Sequence, residues 1–277
     1  MRVIRHVADV APAGRPRVVA AGRFDGVHRG HQRVLARVLE RARAVAGESV
    51  VVLARGSSGA SRLTDVRRRL ELLGEVGVEA VVFAPAAALE AAVERLSAAV
   101  RVAAQGRGSA APAGGTLDEI AAVSVCGAPI TAASIGAALT RGDLAAARAM
   151  LGRDPGVAGR VVHGFHRGAA LGIPTANLRV RGIVLPPDGV YVVRARVAGT
   201  ALCGVANVGF NPTFGNRTRT VETHLLDFAG DLYGRRLEIA FLAYLRGERK
   251  FQDVAALVAQ VRADIAAARR LLEGHGG

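Results

Sequence analysis

The sequence predicts two domains in series, an α/β domain of doubly wound type over residues 1–152 and an antiparallel β-barrel with a carboxyl-terminal helix over residues 157–277. Three observations carry that expectation. The first half alternates short β-branched runs with segments of helical hydrophobic spacing, the pitch of parallel strands joined by crossover helices. After the glycine- and proline-containing linker 152–156 the pattern changes to period 2, in strand-length runs separated by Gly, Pro and Asn turns. The chain has 277 residues, 51% of them hydrophobic, enough to give each of two domains a core.

Taken in order, residues 17–21 are a β-branched strand. A glycine-rich turn follows, then a helix over 30–45 with Val34, Leu35, Val38 and Leu39 on one face. Residues 49–53 are the next strand, 62–76 return to helical spacing, and 79–83 are again strand-like. Residues 103–116, AAQGRGSAAPAGGT, hold almost nothing to bury and read as a loop. A helix over 135–151 closes the domain. Beyond the linker, 190–197, 204–208, 221–228 and 237–244 are strands. Asp253 caps a last helix whose Val254, Leu257, Val258, Val261, Ile265 and Leu272 share a stripe, and Gly274 ends it.

Composition excludes several classes. No apolar stretch reaches the roughly 18 uninterrupted residues of a membrane helix. The first 16 residues, with His6, Asp9 and two prolines, lack the apolar run of a signal peptide, so a cytoplasmic protein is expected. Cys126 and Cys203 lie far apart without a CxxC pair, which removes a disulfide framework and a zinc ribbon and leaves two ordinary buried thiols. The net charge of +14 is shared equally by residues 1–150 and 151–277, with no basic tail, and aromatic residues are 4% with no tryptophan. That pattern argues against nucleic-acid binding, whereas a positive field suits anionic small molecules such as nucleotides. Oligomeric state leaves no signature.

The segment GRFDGVHRGH, residues 22–31, follows a strand and opens a helix. Gly22, Gly26 and Gly30 let the backbone approach a ligand, the helix start offers N–H groups to an anion, and His28 and His31 flank it as donors to phosphate. Spacing alone leaves a surface pair or a partial metal site open for the two histidines. No further His or Cys cluster stands nearby to complete a metal set.

The form FDGVHRGHQ, with LTDVRRRLELLGEVGVEAVVF downstream, resembles the amino-terminal module of bacterial bifunctional riboflavin kinase/FAD synthetases, a cytidylyltransferase-like nucleotide-binding fold. The second half is similar to the riboflavin kinase module of the same proteins. GRVVHGFHRGAALGIPTANL, LPPDGVYVV, GVANVGFNPTFG, VETHLLDFAGDLYG, FLAYLRGERKF and QVRADIAAAR stand in the expected order. The resemblance covers nearly the whole chain. It implies that ATP and Mg²⁺ are bound, that riboflavin is converted to FMN with ADP released, and that Gly22, Phe24, His28 and His31 belong to the first module's nucleotide site. In the second module it implies that Pro174-Thr175-Ala176-Asn177 holds the magnesium nucleotide, that the preceding glycine-rich loop covers the phosphates, and that Glu222 is the base.

Those implied roles agree with the chemistry of the residues. Thr175 offers a hydroxyl and Asn177 an amide oxygen, both hard ligands for Mg²⁺, on a turn stiffened by Pro174. Gly159, Gly164, Gly168 and Gly172 allow backbone amides to wrap phosphates. Alternation within VETHLLDF sends Glu222 and His224 to one face and Val221, Thr223 and Leu225 to the other. Without the resemblance, the Pro-Thr sequence is an ordinary turn and Glu222 a solvated residue on an antiparallel strand. Asn207, Asn211 and the 211–215 loop are expected to form a flap, with Arg246, Glu248 and the last helix bounding the flavin.

The first module departs from the resemblance. The family's aromatic and proline segment after the second strand reads LARGSSGAS, and its flavin-contacting run reads AAQGRGSAAPAGG. The phosphate motif Ile-Ser-Ser-Thr-x-Ile-Arg reads ITAASIG, so Ala132, Ala133 and Gly136 replace two hydroxyls and an arginine. In the second module, Ala169 stands where the resemblance expects an arginine, with Arg167 nearby. The expected activity is therefore ATP-dependent riboflavin phosphorylation with a weakened adenylyltransferase module. The alternatives are a fully bifunctional enzyme making FAD, and a flavin- or nucleotide-binding regulator without catalysis.

Overall fold

β-branched residues occupy both faces of the first strands, and the two faces separate into two cores. The computed structural model describes residues 1–55, 61–106, 108–163, 172–210 and 219–273. Its first half is a parallel sheet. The elements are β1 (Arg2–Ile4), β2 (Arg17–Gly22), α1 (Arg29–Ala44), β3 (Glu48–Arg55), α2 (Val66–Val76), β4 (Ala80–Pro85), α3 (Leu89–Arg95), β5 (Val100–Ala104) and β6 (Thr116–Ile120). The strands run in the order β1-β4-β3-β2-β5-β6 with every neighbouring pair parallel. Val18, Val51 and Val81 face Leu35, Val38 and Leu73 of α1 and α2. One residue along, Val19, Val50 and Val52 face Val93 and Leu96 on the other side. Helices on both faces make this the doubly wound arrangement that the alternation predicts.

Local chemistry explains the differences from the expected boundaries. The helix expected over 62–76 begins at Val66 because Asp65 is its cap, accepting from Arg68 N at 2.6 Å. The ends of the expected loop 103–116 are absorbed by β5 and β6, which pair with each other across it. The helix expected over 135–151 is two, α4 (Ala132–Thr140) and α5 (Leu144–Leu151). Gly142 breaks them with φ +79°, and Asp143 Oδ1 caps the second by accepting from Ala146 N at 2.8 Å. Between β6 and α4 lies a short hairpin, β7 (Ser124–Val125) and β8 (Ala128–Pro129), whose turn carries Cys126. That thiol is exposed, not buried as expected.

The chain forms two compact units, Met1–Ser134 with Met150–Gly152, and Ile135–Ala149 with Arg153–Gly277. The segment 135–149 thus groups with the barrel residues, whereas the sequence placed it at the end of the first domain. Within the second unit Arg148 donates to Asp154 Oδ1 at 2.5 Å and to Leu242 O at 3.2 Å, and a Cβ at Gly142 would stand 3.4 Å from Pro187.

The second unit contains β9 (Gly156–Val162), β10 (Ala176–Arg179), β11 (Gly189–Val197), β12 (Thr200–Phe210), β13 (Arg219–Leu225), β14 (Arg236–Arg246) and α6 (Val254–Glu273). Its strands close into an antiparallel barrel in the order β10-β13-β12-β11-β14-β9. The lumen is packed with side chains, among them Leu178, Val193, Val221, Leu237, Ile239 and Phe241, all at most 2% exposed. Tyr191 lies edge-on to Phe241, and burial pushes its hydroxyl up to about 12, while that hydroxyl donates to Pro187 O at 2.7 Å. On the outer wall Val190, Val192 and Val205 lie beneath Ile265, Ala268 and Leu272 of α6. Asp253 caps this helix as expected, accepting from Ala256 N at 2.7 Å. Val254, expected on the buried stripe, is 58% exposed, and Gly274 lies outside the described residues.

A largely buried ion pair fastens α6 to the end of β14. Arg246 donates from Nη2 to Asp264 Oδ2 at 2.7 Å and from Nε to Asp264 Oδ1 at 3.0 Å, and Gln260 adds a third donor to that carboxylate at 2.9 Å. Removing one partner leaves the other charge desolvated and uncompensated, so Asp264→Ala is expected to cost about 3 kcal/mol. The loss will appear as a lower urea midpoint of tyrosine fluorescence, a signal confined to the second unit because Tyr191, Tyr233 and Tyr244 are the chain's tyrosines. The double change Arg246→Met with Asp264→Leu is expected to recover most of it.

Candidate active site

The barrel's pairing register brings the candidate residues of the second unit together. Asn177 on β10 lies directly opposite Glu222 on β13, and Glu222 lies directly opposite Asn207 on β12. Residues opposed in an antiparallel ladder point to the same face with Cβ atoms about 4.5–5.5 Å apart. Their neighbours Leu178, Val221, Thr223 and Ala206 turn into the lumen, each at most 1% exposed, so Asn177, Glu222 and Asn207 form a polar row on the outer wall. The row continues along the ladder to Val190, which lies under α6. One end of the row is therefore apolar and covered by a helix, and at the other Asn177 stands two residues beyond Thr175 and opposite Val162 of β9.

Asn177 is buried and Glu222 half-buried. Thr175 stands immediately before β10, and His224, two residues beyond Glu222 on the same face, reaches the Pro174 carbonyl with Nδ1 at 2.9 Å. Asn207 donates to Glu248 Oε1 at 3.2 Å. Glu248 lies against Gly209, where an added Cβ would meet Glu248 Oε1 at 2.0 Å, so any side chain there would displace the Glu248 carboxylate. The sequence placed Glu222 and His224 on one face correctly, but the tie from His224 to Pro174 and the contact of Glu248 with Gly209 have no local signal, because each joins residues far apart in the chain.

The glycines expected over the phosphates divide. Gly159 is within β9, and its missing Cβ would lie 2.7 Å from Arg179 O, so its absence of a side chain serves the close approach of β9 and β10. Gly172, exposed with φ +73°, adjoins the turn. Gly164, Gly168 and the Arg167 and Ala169 positions lie outside the described residues, as does the expected 211–215 flap. Arg246, expected to bound a flavin, is spent on Asp264.

In the first unit the GRFDGVHRGH segment is held from one side. Asp25 accepts from Leu63 N at 2.9 Å, Thr64 N at 3.0 Å and Thr64 Oγ1 at 2.9 Å, while Thr64 Oγ1 accepts from Gly26 N at 3.0 Å. Arg69, buried behind it with its guanidinium pushed down by desolvation, donates to Arg23 O at 3.0 Å. Gly22 ends β2, and Phe24, in a left-handed conformation with φ 48°, is 3% exposed and belongs to the core under α1. Its ring is 5.0 Å from that of His31, which stacks on His28 at 3.7 Å. His28 caps α1, its Nδ1 accepting from His31 N at 3.4 Å, which leaves the neutral ring's proton on Nε2. The residues sit at a helix start that follows a parallel strand, the place where such folds bind anions. On α4, Thr131 is a cap, its Oγ1 accepting from Ser134 N and its N donating to Ser134 Oγ, both at 3.0 Å.

A family model described as riboflavin kinase matches residues 151–272, and one described as FAD synthetase matches residues 11–93. The bifunctional riboflavin kinase/FMN adenylyltransferase of Pseudomonas fluorescens is 34% identical over 98% of both chains, and that of Escherichia coli K12 is 32% identical over 97% of both. A solved structure named Macrolide-efflux Protein from Streptococcus pneumoniae is similar at a TM-score of 0.82 and 26% identity, covering 97% of this chain and 99% of the other.

Asp25→Ala will strip an acceptor from three donors at once. It is expected to destabilise the first unit by about 3 kcal/mol. Far-UV circular dichroism should show a urea transition shifted down while the tyrosine transition stays in place.

Proposed function

The chain belongs to the family of bifunctional riboflavin kinase/FMN adenylyltransferases, and on that premise we propose that the outer polar row of its barrel phosphorylates riboflavin. Both a riboflavin kinase domain and an FAD synthetase domain are present, and the chain is an ATP-dependent phosphotransferase of a family that uses a divalent metal. The observation that carries the site assignment is the register that sets Asn177 directly opposite Glu222.

In this reading Glu222 accepts the proton of riboflavin's terminal ribityl hydroxyl as that oxygen attacks the γ-phosphorus of ATP. The new O–P bond forms while the bond from the γ-phosphorus to the β,γ-bridging oxygen breaks, giving FMN and ADP. Thr175 and Asn177 supply neutral oxygen donors to magnesium. Among the described residues no group of three His, Cys, Asp or Glu could cage a metal. A neutral pair suits a cation that arrives bound to phosphates and keeps several waters. Held there, such an ion would supply positive charge to offset the charge of the nucleotide's phosphates. Gly172 leaves room for main-chain amides to approach the phosphate oxygens. Asn207 holds Glu248 beside the base, at the end of the row where the apolar patch begins, and the two bound the flavin. No helix among the described residues is long and apolar enough to cross a membrane, in keeping with a cytoplasmic enzyme.

The first unit, in the same reading, holds nucleotide at Gly22, His28 and His31 but transfers adenylyl groups slowly. Transfer to FMN brings two anionic phosphates together and needs fixed donors and cations around them. The 130–136 segment has no cation, two of its positions are alanines, and its Thr131 hydroxyl is committed to capping a helix.

Glu222→Gln is expected to lower FMN formation at least about a hundredfold, with riboflavin affinity within about threefold of the parent. Chromatography of products from riboflavin, ATP and Mg²⁺, with a parallel flavin-fluorescence titration, makes the comparison. Unchanged turnover removes Glu222 from the mechanism. With FMN and ATP as substrates, FAD and pyrophosphate are expected to form about a hundredfold or more slowly than FMN forms from riboflavin. Comparable rates would establish full bifunctionality.

A further inference from the structure

The turn that presents Thr175 lies just outside the barrel's ladders, since β10 begins at Ala176. Proline at 174 has no N–H of its own to anchor the turn. Its carbonyl meets the half-buried imidazole of His224, with Nδ1 at 2.9 Å. A carbonyl oxygen only accepts, so His224 carries a proton on Nδ1 and donates it there. His224 is two residues from Glu222 on one strand face, and its neighbour Thr223 pairs with Ala176, the residue after Thr175. One imidazole thus ties the start of the metal-nucleotide turn to the strand that bears the base.

We propose that His224 is a positioning residue of the phosphoryl transfer, holding the Pro174–Thr175 peptide so that the Thr175 hydroxyl and the Glu222 carboxylate keep a fixed separation. The proposal rests on the kinase reading of the site. It predicts a selective defect, because the bond acts on the nucleotide's half of the site and leaves the flavin's half alone. Misplacing a donor by an ångström weakens binding and rate together, most for the ligand that the donor holds.

The test compares three variants by steady-state kinetics with MgATP and by riboflavin fluorescence titration. His224→Ala is expected to raise KM for MgATP about tenfold, with a smaller fall in kcat and with riboflavin Kd within about twofold of the parent. His224→Asn sets an amide N–H near the position of Nδ1 and is expected to bring KM back to within about threefold. His224→Gln sets its amide near Nε2 and is expected to behave like alanine. An unchanged KM in His224→Ala overturns the proposal, as does a defect that asparagine relieves no better than glutamine. If the alanine variant does not fold, the asparagine and glutamine pair decides alone. The kinase reading fails separately: full turnover in Glu222→Gln ends that reading whatever His224 does, while a dead Glu222→Gln with normal KM in His224→Ala ends only the proposal made here.

Discussion

The register between β10 and β13 is the constraint on which the second unit's chemistry depends. A strand's side chains alternate with a period of two, so a slip of β10 by one residue against β13 would turn Asn177 into the lumen and expel Leu178 from it, and a slip of β13 would do the same to Glu222 and Val221. Each of those two large apolar residues is fully buried, and such burial contributes about 1.5–3 kcal/mol per side chain. The lumen's packing therefore fixes the register, and the register fixes the polar row outside. No residue of the row has to supply the stability that positions it.

The outer wall is divided by what covers it. The patch of Val190, Val192 and Val205 is closed by α6, which the Arg246–Asp264 pair and its Gln260 donor hold at the strand end. Beyond the helix the wall becomes polar, with Asn207, Glu222 and then Asn177 in succession. The first unit solves a related problem differently. Its helix start is braced through Asp25, which accepts from Leu63 and Thr64, and by Arg69 of α2, so loop and helix are held together by their own hydrogen bonds.

Much of this was legible in the chain. The change of period near residue 156, the Asp253 cap, the strands from β11 to β14 and the shared face of Glu222 and His224 follow from local spacing. Strands β9 and β10 were not legible: β9 is interrupted by glycines, and β10 is a four-residue strand directly after a proline turn. The break between α4 and α5 depends on one glycine in a left-handed conformation within a continuous apolar pattern. Gly159 illustrates a subtler limit. A glycine beside a glycine-rich loop looks like part of it, and only the nearness of the Arg179 carbonyl shows that strand packing requires it. Partners distant in sequence, such as His224 with Pro174 and Glu248 with Gly209, emerge only once the ladders are known.

The central claim is that catalysis occurs on the outside of the barrel wall, across a single pair of opposed residues. A crystal structure of the protein with riboflavin, magnesium and a non-hydrolysable ATP analogue measures this directly. The account predicts the terminal ribityl oxygen within hydrogen-bond reach of a Glu222 carboxylate oxygen, about 2.6–3.2 Å, with the analogue's phosphates beside Thr175 and Asn177. A flavin bound elsewhere on the unit, with its ribityl terminus beyond the reach of Glu222, would contradict it.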